Sequence, residues 1–299
     1  MADVAIVTDS TVCLPPELIE KYGIEIVPME FIHKGKVYQD GVDMSPADFY
    51  KLLSQSENLP TTSAPSPGTY FEVLKKVSQR AKAIIIIAPS ARFSHAFDSA
   101  KAAAETGKEK LQAAIEVLDS GTAAGAQGFV VLAAARTAAL GENLTHVLEA
   151  ARKLMPRVHL VAFIDTLLYL AKGGRVPHVA AWAGQLLKIK PVFELLPLSG
   201  GATPLDKVRT RARAIERLTN ILQERTDRRP MHAIVLHSDA LEEAEKLKEY
   251  IAANFNCVET YVRDFTPVMG VHTGPGLLGV AFYFDELSTG SSKNPGGEG

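Results

Sequence analysis

The sequence predicts an α/β protein of two domains, and three observations carry that prediction. At 299 residues the chain is long for a single hydrophobic core. Three apolar runs, at residues 4–7, 83–88 and 115–118, each open into small polar residues and then a helical pattern. That is the rhythm of strands covered on both faces and joined through helices. Residues 231–236 and 257–265 read as strands flanking an amphipathic helix at 240–253, a βαβ unit. The expected division is an N-terminal α/β domain over residues 1–157 with a mainly parallel sheet, and a C-terminal α/β domain over 158–287. Residues 288–299 are rich in Gly, Ser, Asn and Pro and read as a disordered tail.

Composition narrows the class. Hydrophobic residues at 46% and charged residues at 22% describe an ordinary globular chain. A net charge of -2 gives no electrostatic footprint for nucleic acid or an anionic membrane. Residues 1–7 run into an apolar segment with no basic flank, and the runs at 83–88 and 276–284 are too short to span a bilayer. A cytoplasmic protein without an integral membrane segment is expected. Cys13 and Cys257 stand alone, with neither metal-ligand spacing nor a disulfide framework, so no metal or cofactor is expected.

Taken in order, the first apolar run ends in Thr8-Asp9-Ser10-Thr11, and Pro15-Pro16 begins a helix closed by Gly23. Residues 24–32 read as a second strand, turned back through Lys34-Gly35-Lys36 into Val37-Tyr38. Ser45-Pro46-Ala47-Asp48 is the N-terminal signature of a helix reaching Ser54. Thr61-Thr62-Ser63-Ala64-Pro65-Ser66-Pro67-Gly68 then places four hydroxyls within six residues, interrupted by proline. Proline fixes its own φ and extends the residue before it, which predicts a stiff, non-helical loop. Ser66 suits a helix N-cap and Pro67 the first helical position. Such a loop offers hydroxyls and helix amides to a hydrogen-bond acceptor, and anions accept best.

The strand at 83–88 opens into Pro89-Ser90-Ala91-Arg92-Phe93-Ser94-His95, and the strand at 115–118 into Asp119-Ser120-Gly121 before an Ala-rich helix at 123–140. If these strands are parallel, their polar ends share one rim within reach of the 61–68 loop. A helix at 142–155 and a strand at 158–164 follow. A helical turn at 165–171 is stopped by Lys172-Gly173-Gly174-Arg175, with a helix at 179–187 and an extended segment at 190–196 beyond it. Turn residues at 197–203 lead to a long helix at 208–224, and a last strand at 277–284 comes after His272-Thr273-Gly274-Pro275-Gly276.

Gly274-Pro275-Gly276-Leu277-Leu278-Gly279 matches the dinucleotide pattern by letter. A strand follows it where a helix is required, and Pro275 removes an amide, so the context excludes that site. Neither a P-loop nor a G-x-S-x-G elbow occurs. A hydrolase built on Ser94, His272 and Asp9 rests on residue types alone. His33, His159, His178 and His232 read as structural or surface residues, whereas His272 sits in a loop of small polar residues, where a structural and a functional role weigh equally. Gly173-Gly174-Arg175 reads as a turn with positive φ presenting an arginine. Arg209, Arg211, Arg213 and Arg217 form a basic face, either solvated or a docking surface for an acidic partner.

Val7-Thr8-Asp9-Ser10, Thr62-Ser63-Ala64-Pro65-Ser66-Pro67-Gly68, Asp119-Ser120, Lys172-Gly173-Gly174-Arg175, Lys190-Pro191 and His272-Thr273-Gly274-Pro275-Gly276 together resemble the DegV family, including its FakB-type fatty-acid-binding members, over residues 1–284. The resemblance implies two α/β domains with one long-chain, palmitate-like fatty acid buried between them. It implies that Thr62 and Ser94 hold the carboxylate, with Ser63 and His272 beside it. It further implies that the protein is not itself an enzyme. A separate ATP-dependent fatty-acid kinase would phosphorylate the bound acid for phospholipid synthesis, with Arg175 and Arg209 as candidate contacts. Two departures from the family pattern stand out: Ser94-His95-Ala96 stands where Ser-Gly-Thr is usual, and Ala64 where Gln is frequent. His95 is expected to add bulk and a titratable donor near the head group. The alternatives are a serine-dependent acyl hydrolase or transferase using Ser94, or a binding module for another lipid carboxylate.

Overall fold

A computed structural model of the chain describes residues 2–173, 189–196, 201–226 and 229–286. Arg175, His178, the expected helix at 179–187 and the tail at 288–299 lie outside those residues.

Strands β1 (Ala2–Asp9), β2 (Glu25–Val27), β6 (Ala81–Ala88) and β7 (Ala114–Asp119) form a sheet in the order β2-β1-β6-β7, parallel throughout. Their β-branched runs are buried on both faces because helices cover both. Val7, Ile84 and Ile86 pack with α3 (Pro67–Ser78) and α4 (Ala96–Lys110). Ile6, Ile85 and Ile87 pack with α5 (Ala124–Ala139) and α6 (Leu144–Leu154) on the other side. The shared rim expected for the ends of β1, β6 and β7 is therefore present.

A second sheet contains β8 (His159–Phe163), β9 (Lys190–Leu196), β10 (Gly201–Val208), β11 (Met231–His237), β12 (Cys257–Asp264) and β13 (Leu278–Phe284). Its order is β10-β9-β8-β13-β11-β12, and only the β11/β12 pair of the expected βαβ unit is parallel. Helices α8 (Arg211–Arg225) and α9 (Leu241–Asn254) cover its outer face. Helix α5 lies between the two sheets and is apolar almost all round, as a fully enclosed helix must be. A Cβ on Gly125 would sit 2.9 Å from Cβ of Ala281, so small residues allow the helix to lie directly on β13. One core cluster consequently runs through both sheets.

A third, antiparallel sheet orders β4 (Lys36–Gln39), β3 (Glu30–His33) and β5 (Thr61–Ser63). Here the sequence reading needs correction. Residues 24–32 are not one strand: Pro28 has no N–H for a ladder, and the chain leaves the parallel sheet there to start β3. The hydroxyl-rich stretch is not wholly a loop, because β3 recruits Thr61–Ser63 as its neighbour, with Phe31 opposite Thr62. Residues 201–208 are a strand pairing β9 rather than a turn and the start of a helix. Finally, His272 lies not in a loop but in the last turn of a short helix, α10 (Pro267–Thr273). The caps read from sequence hold: Ser45 and Ser66 accept from the amides of Asp48 and Thr69, each with proline at the first helical position.

Within the second sheet, buried Glu194 on β9 accepts from both guanidinium nitrogens of Arg225 at 2.5 and 2.8 Å, and pairs with His159 Nδ1 at 2.9 Å. Burial alone would raise its pKa. Arg225 and His159 outweigh burial and hold the carboxyl at about 2. A depressed folded-state pKa stabilises the fold above the unfolded value and loses that contribution as pH falls through the folded one. Glu194→Gln is expected to cost about 2–3 kcal/mol at pH 7 by stranding Arg225. In urea melts the gap to wild type should narrow as pH falls below about 4.5, the ordinary value for this group.

Candidate functional site

The rim of the parallel sheet faces the inner face of the second sheet across a cavity of about 430 Å³. Alternation along the strands builds its floor. Leu160 and Ala162 of β8 share a face, as do Phe193 and Leu195 of β9, and the register sets Leu160 opposite Leu195 and Ala162 opposite Phe193. Val268 and Met269 of α10 and Phe93 add further apolar wall. None of the described lining residues is lysine or arginine.

The wall also carries polar side chains. Thr62, Ser63, Ser94 and His272, picked out separately in the sequence, all line this cavity. Thr62 arrives on β5 and His272 on α10, and Thr62 Oγ1 lies 2.9 Å from His272 Nε2. Ser94 Oγ accepts from the amide of Ala96 at the start of α4, at 3.1 Å, which leaves its own O–H to donate. Thr11, from the polar strand end at Thr8–Thr11, is also on the wall. Its amide and hydroxyl donate to Asp9 at 2.9 and 2.5 Å, and Gln127 donates to the other oxygen of that carboxylate. Burial pushes the Asp9 carboxyl upward against these donors. Asp9 is thus engaged with Thr11 and Gln127, and His272 with Thr62, so the Ser94, His272 and Asp9 trio is not assembled as a relay.

Other expectations shift. Of the expected Gly173-Gly174-Arg175 turn, Gly174 and Arg175 lie outside the described residues; Gly173 lacks positive φ, and its missing side chain serves close packing, since a Cβ there would lie 2.4 Å from His272 Nδ1. Gly274 and Gly276 do have positive φ, +70° and +87°, and the ring of Tyr169 and the carboxylate of Asp165 occupy the space of their absent Cβ atoms. Steric demands therefore account for the apparent dinucleotide pattern. His95 lines the mouth of the cavity, but its side chain is largely exposed and faces Asp98 at 3.3 Å. Half of the basic face is consumed internally, and Arg213 is exposed. Arg211 binds Glu243, Asp165 and the carbonyl of Gly276, and Arg217 pairs with Asp206 and Glu224, while Arg209 is exposed. Among the described residues no cluster of His, Cys, Asp or Glu could hold a metal, and no helix is long and apolar enough to cross a membrane.

Comparison with known proteins adds to this geometry. Residues 3–285 match the model of the DegV family, described as uncharacterised proteins. A DegV domain-containing protein of Streptomyces coelicolor is 35% identical over 93% of this chain and 97% of its own length. A DegV family protein of Thermus thermophilus, whose structure is described by its fatty-acid binding, superposes with a TM-score of 0.87 at 27% identity, over 95% of this chain and 100% of that one. DegV of Bacillus subtilis, described as a fatty acid binding protein, gives 0.85 at 31% identity over 95% and 100%.

Gly173→Ala is expected to swing the imidazole of His272 away from Thr62 and to cost about 1–3 kcal/mol through overpacking. A crystal structure of the variant with the 2.9 Å contact intact would contradict this packing.

Proposed function

The chain belongs to the DegV family, and from that premise we propose that it carries one long-chain fatty acid, palmitate-like in length, in the cavity between its sheets. The carrying observation is that cavity: largely apolar, about 430 Å³, with Thr62, Ser63, Ser94 and His272 on its wall. Burying a sixteen-carbon chain is worth on the order of 11 kcal/mol at about 0.8 per methylene, before association costs. The tail therefore supplies the affinity and the head group sets the orientation.

A carboxylate does not enter a protein without donors. The hydroxyls of Thr62 and Ser94 donate to it, that of Ser63 joins them by turning from the Ala64 carbonyl to which it donates at 3.1 Å, and His272 supports it through Thr62 or directly. These donors leave the carboxylate more nucleophilic than an arginine fork would. That suits the finer part of the proposal, in which a separate ATP-dependent kinase phosphorylates the bound acid, with Arg175 and Arg209 at the contact. On this reading the protein is a cytoplasmic carrier rather than an enzyme, with the lobes dividing near residue 157.

Solvent extraction of the purified protein followed by mass spectrometry is expected to release one long-chain fatty acid per chain. Thr62→Ala combined with Ser94→Ala should weaken palmitate binding about 100-fold, at roughly 1.5 kcal/mol for each charge-assisted hydrogen bond lost. An extract without fatty acid, together with no uptake of added palmitate, would overturn the reading.

A further inference from the structure

The carboxylate of Asp40 is 2% exposed and lies at the end of β4, where no part of the proposed chemistry needs a charge. Ser10, just after β1, donates to its Oδ2 at 2.6 Å, and the same Ser10 hydroxyl accepts from the amide of Met29. Its Oδ1 accepts from the amide of Val268 at 3.0 Å, across 228 positions of sequence. Val268 is the second residue of α10, and Pro267 before it has no N–H, so Val268 presents the first amide of that helix. Thr266 occupies the N-cap position and makes no side-chain cap. Asp40 therefore caps the helix from another part of the fold.

Helix α10 is only seven residues long, and His272 lies one turn beyond Val268 on the same face. Val268, Met269, His272 and Thr273 all line the cavity. In so short an element, a tilt at the capped end moves His272 at the other. Burial pushes the Asp40 carboxyl up to about 6, against the hydrogen bonds from Ser10 and Val268, and the neighbouring charge of Asp9 adds to the rise. Cys13 and Tyr50 are the other titratable neighbours. A carboxylate kept in so unfavourable a place is well explained by what it holds.

We infer that Asp40 is a positioning residue for the head-group end of the cavity: it fixes α10 against the rim of the parallel sheet and so sets His272 on Thr62. The inference rests on the fatty-acid reading of the site, and its test separates the two.

One arm needs no lipid. The imidazole NMR signals of His272, assigned through His272→Gln, should shift in Asp40→Ala and stay near their wild-type positions in Asp40→Asn, whose amide oxygen still accepts from Val268. The second arm compares palmitate with hexadecanol, which has the tail but no carboxylate. Asp40→Ala should weaken palmitate about tenfold and hexadecanol less than twofold, Asp40→Asn should recover palmitate binding, and Asp40→Ala should add nothing in a His272→Gln background. If Asp40→Ala does not fold, Ser10→Ala removes a donor to the same carboxylate and should give a smaller loss confined to palmitate. Equal losses for both probes, additive losses with His272→Gln, or unmoved His272 signals in Asp40→Ala would overturn the assignment. Failure of the wild-type protein to bind palmitate, with the NMR coupling intact, would instead sink the fatty-acid reading alone.

Discussion

The contact between Thr62 and His272 brings together two elements that share no sheet and lie 210 positions apart in sequence. One arrives on a three-residue edge strand, the other at the end of a seven-residue helix. Both are too short to be stable alone, so each depends on what holds it: β3 for Thr62, and Asp40 with the ring packing of Phe49 and Tyr50 against Gly270 for His272. The polar end of the cavity is thus a product of tertiary structure, and its geometry follows from how the sheets are spaced.

That spacing is set by α5. A helix with bulky residues on both sides would push the second sheet away from the first. Gly125 against Ala281, and Gly128 against the carbonyl of Val12, allow close approach on both sides. Ala123, just before the first residue of α5, lines the cavity, which is floored by the paired residues of β8 and β9. Small residues in the middle layer let the sheets share one core, and larger apolar residues line the cavity beside it. Uncharged donors suit such a site, because an unpaired cation in the empty tunnel would carry the desolvation cost that drives buried charges to neutralise.

Long, strongly patterned elements were legible in the sequence. The isoleucine run of β6, the βαβ unit and the proline-led caps at Ser45 and Ser66 follow from periodicity and local chemistry, which act within a few residues. What was not legible depends on partners far away. Thr61–Ser63 has the composition of a loop and becomes a strand because β3 offers it a ladder. His272 reads as part of a loop of small polar residues but ends a helix, whose first amide Asp40 holds and whose approach Tyr50 fixes through the carbonyl of Phe265. Asp40 carries no local signal that points to Val268. Thr62, Ser94 and His272 could be named from short motifs, whereas the apolar wall comes from alternate residues of separate strands, which no single stretch reveals.

A crystal structure of the protein bound to palmitate tests the central claim most directly. The expected density is one continuous chain along Phe193 and Leu195, its carboxylate within hydrogen-bonding distance of Thr62 Oγ1 and Ser94 Oγ. A chain bound in the reverse direction, or palmitate on the surface with the cavity holding only water, would contradict it.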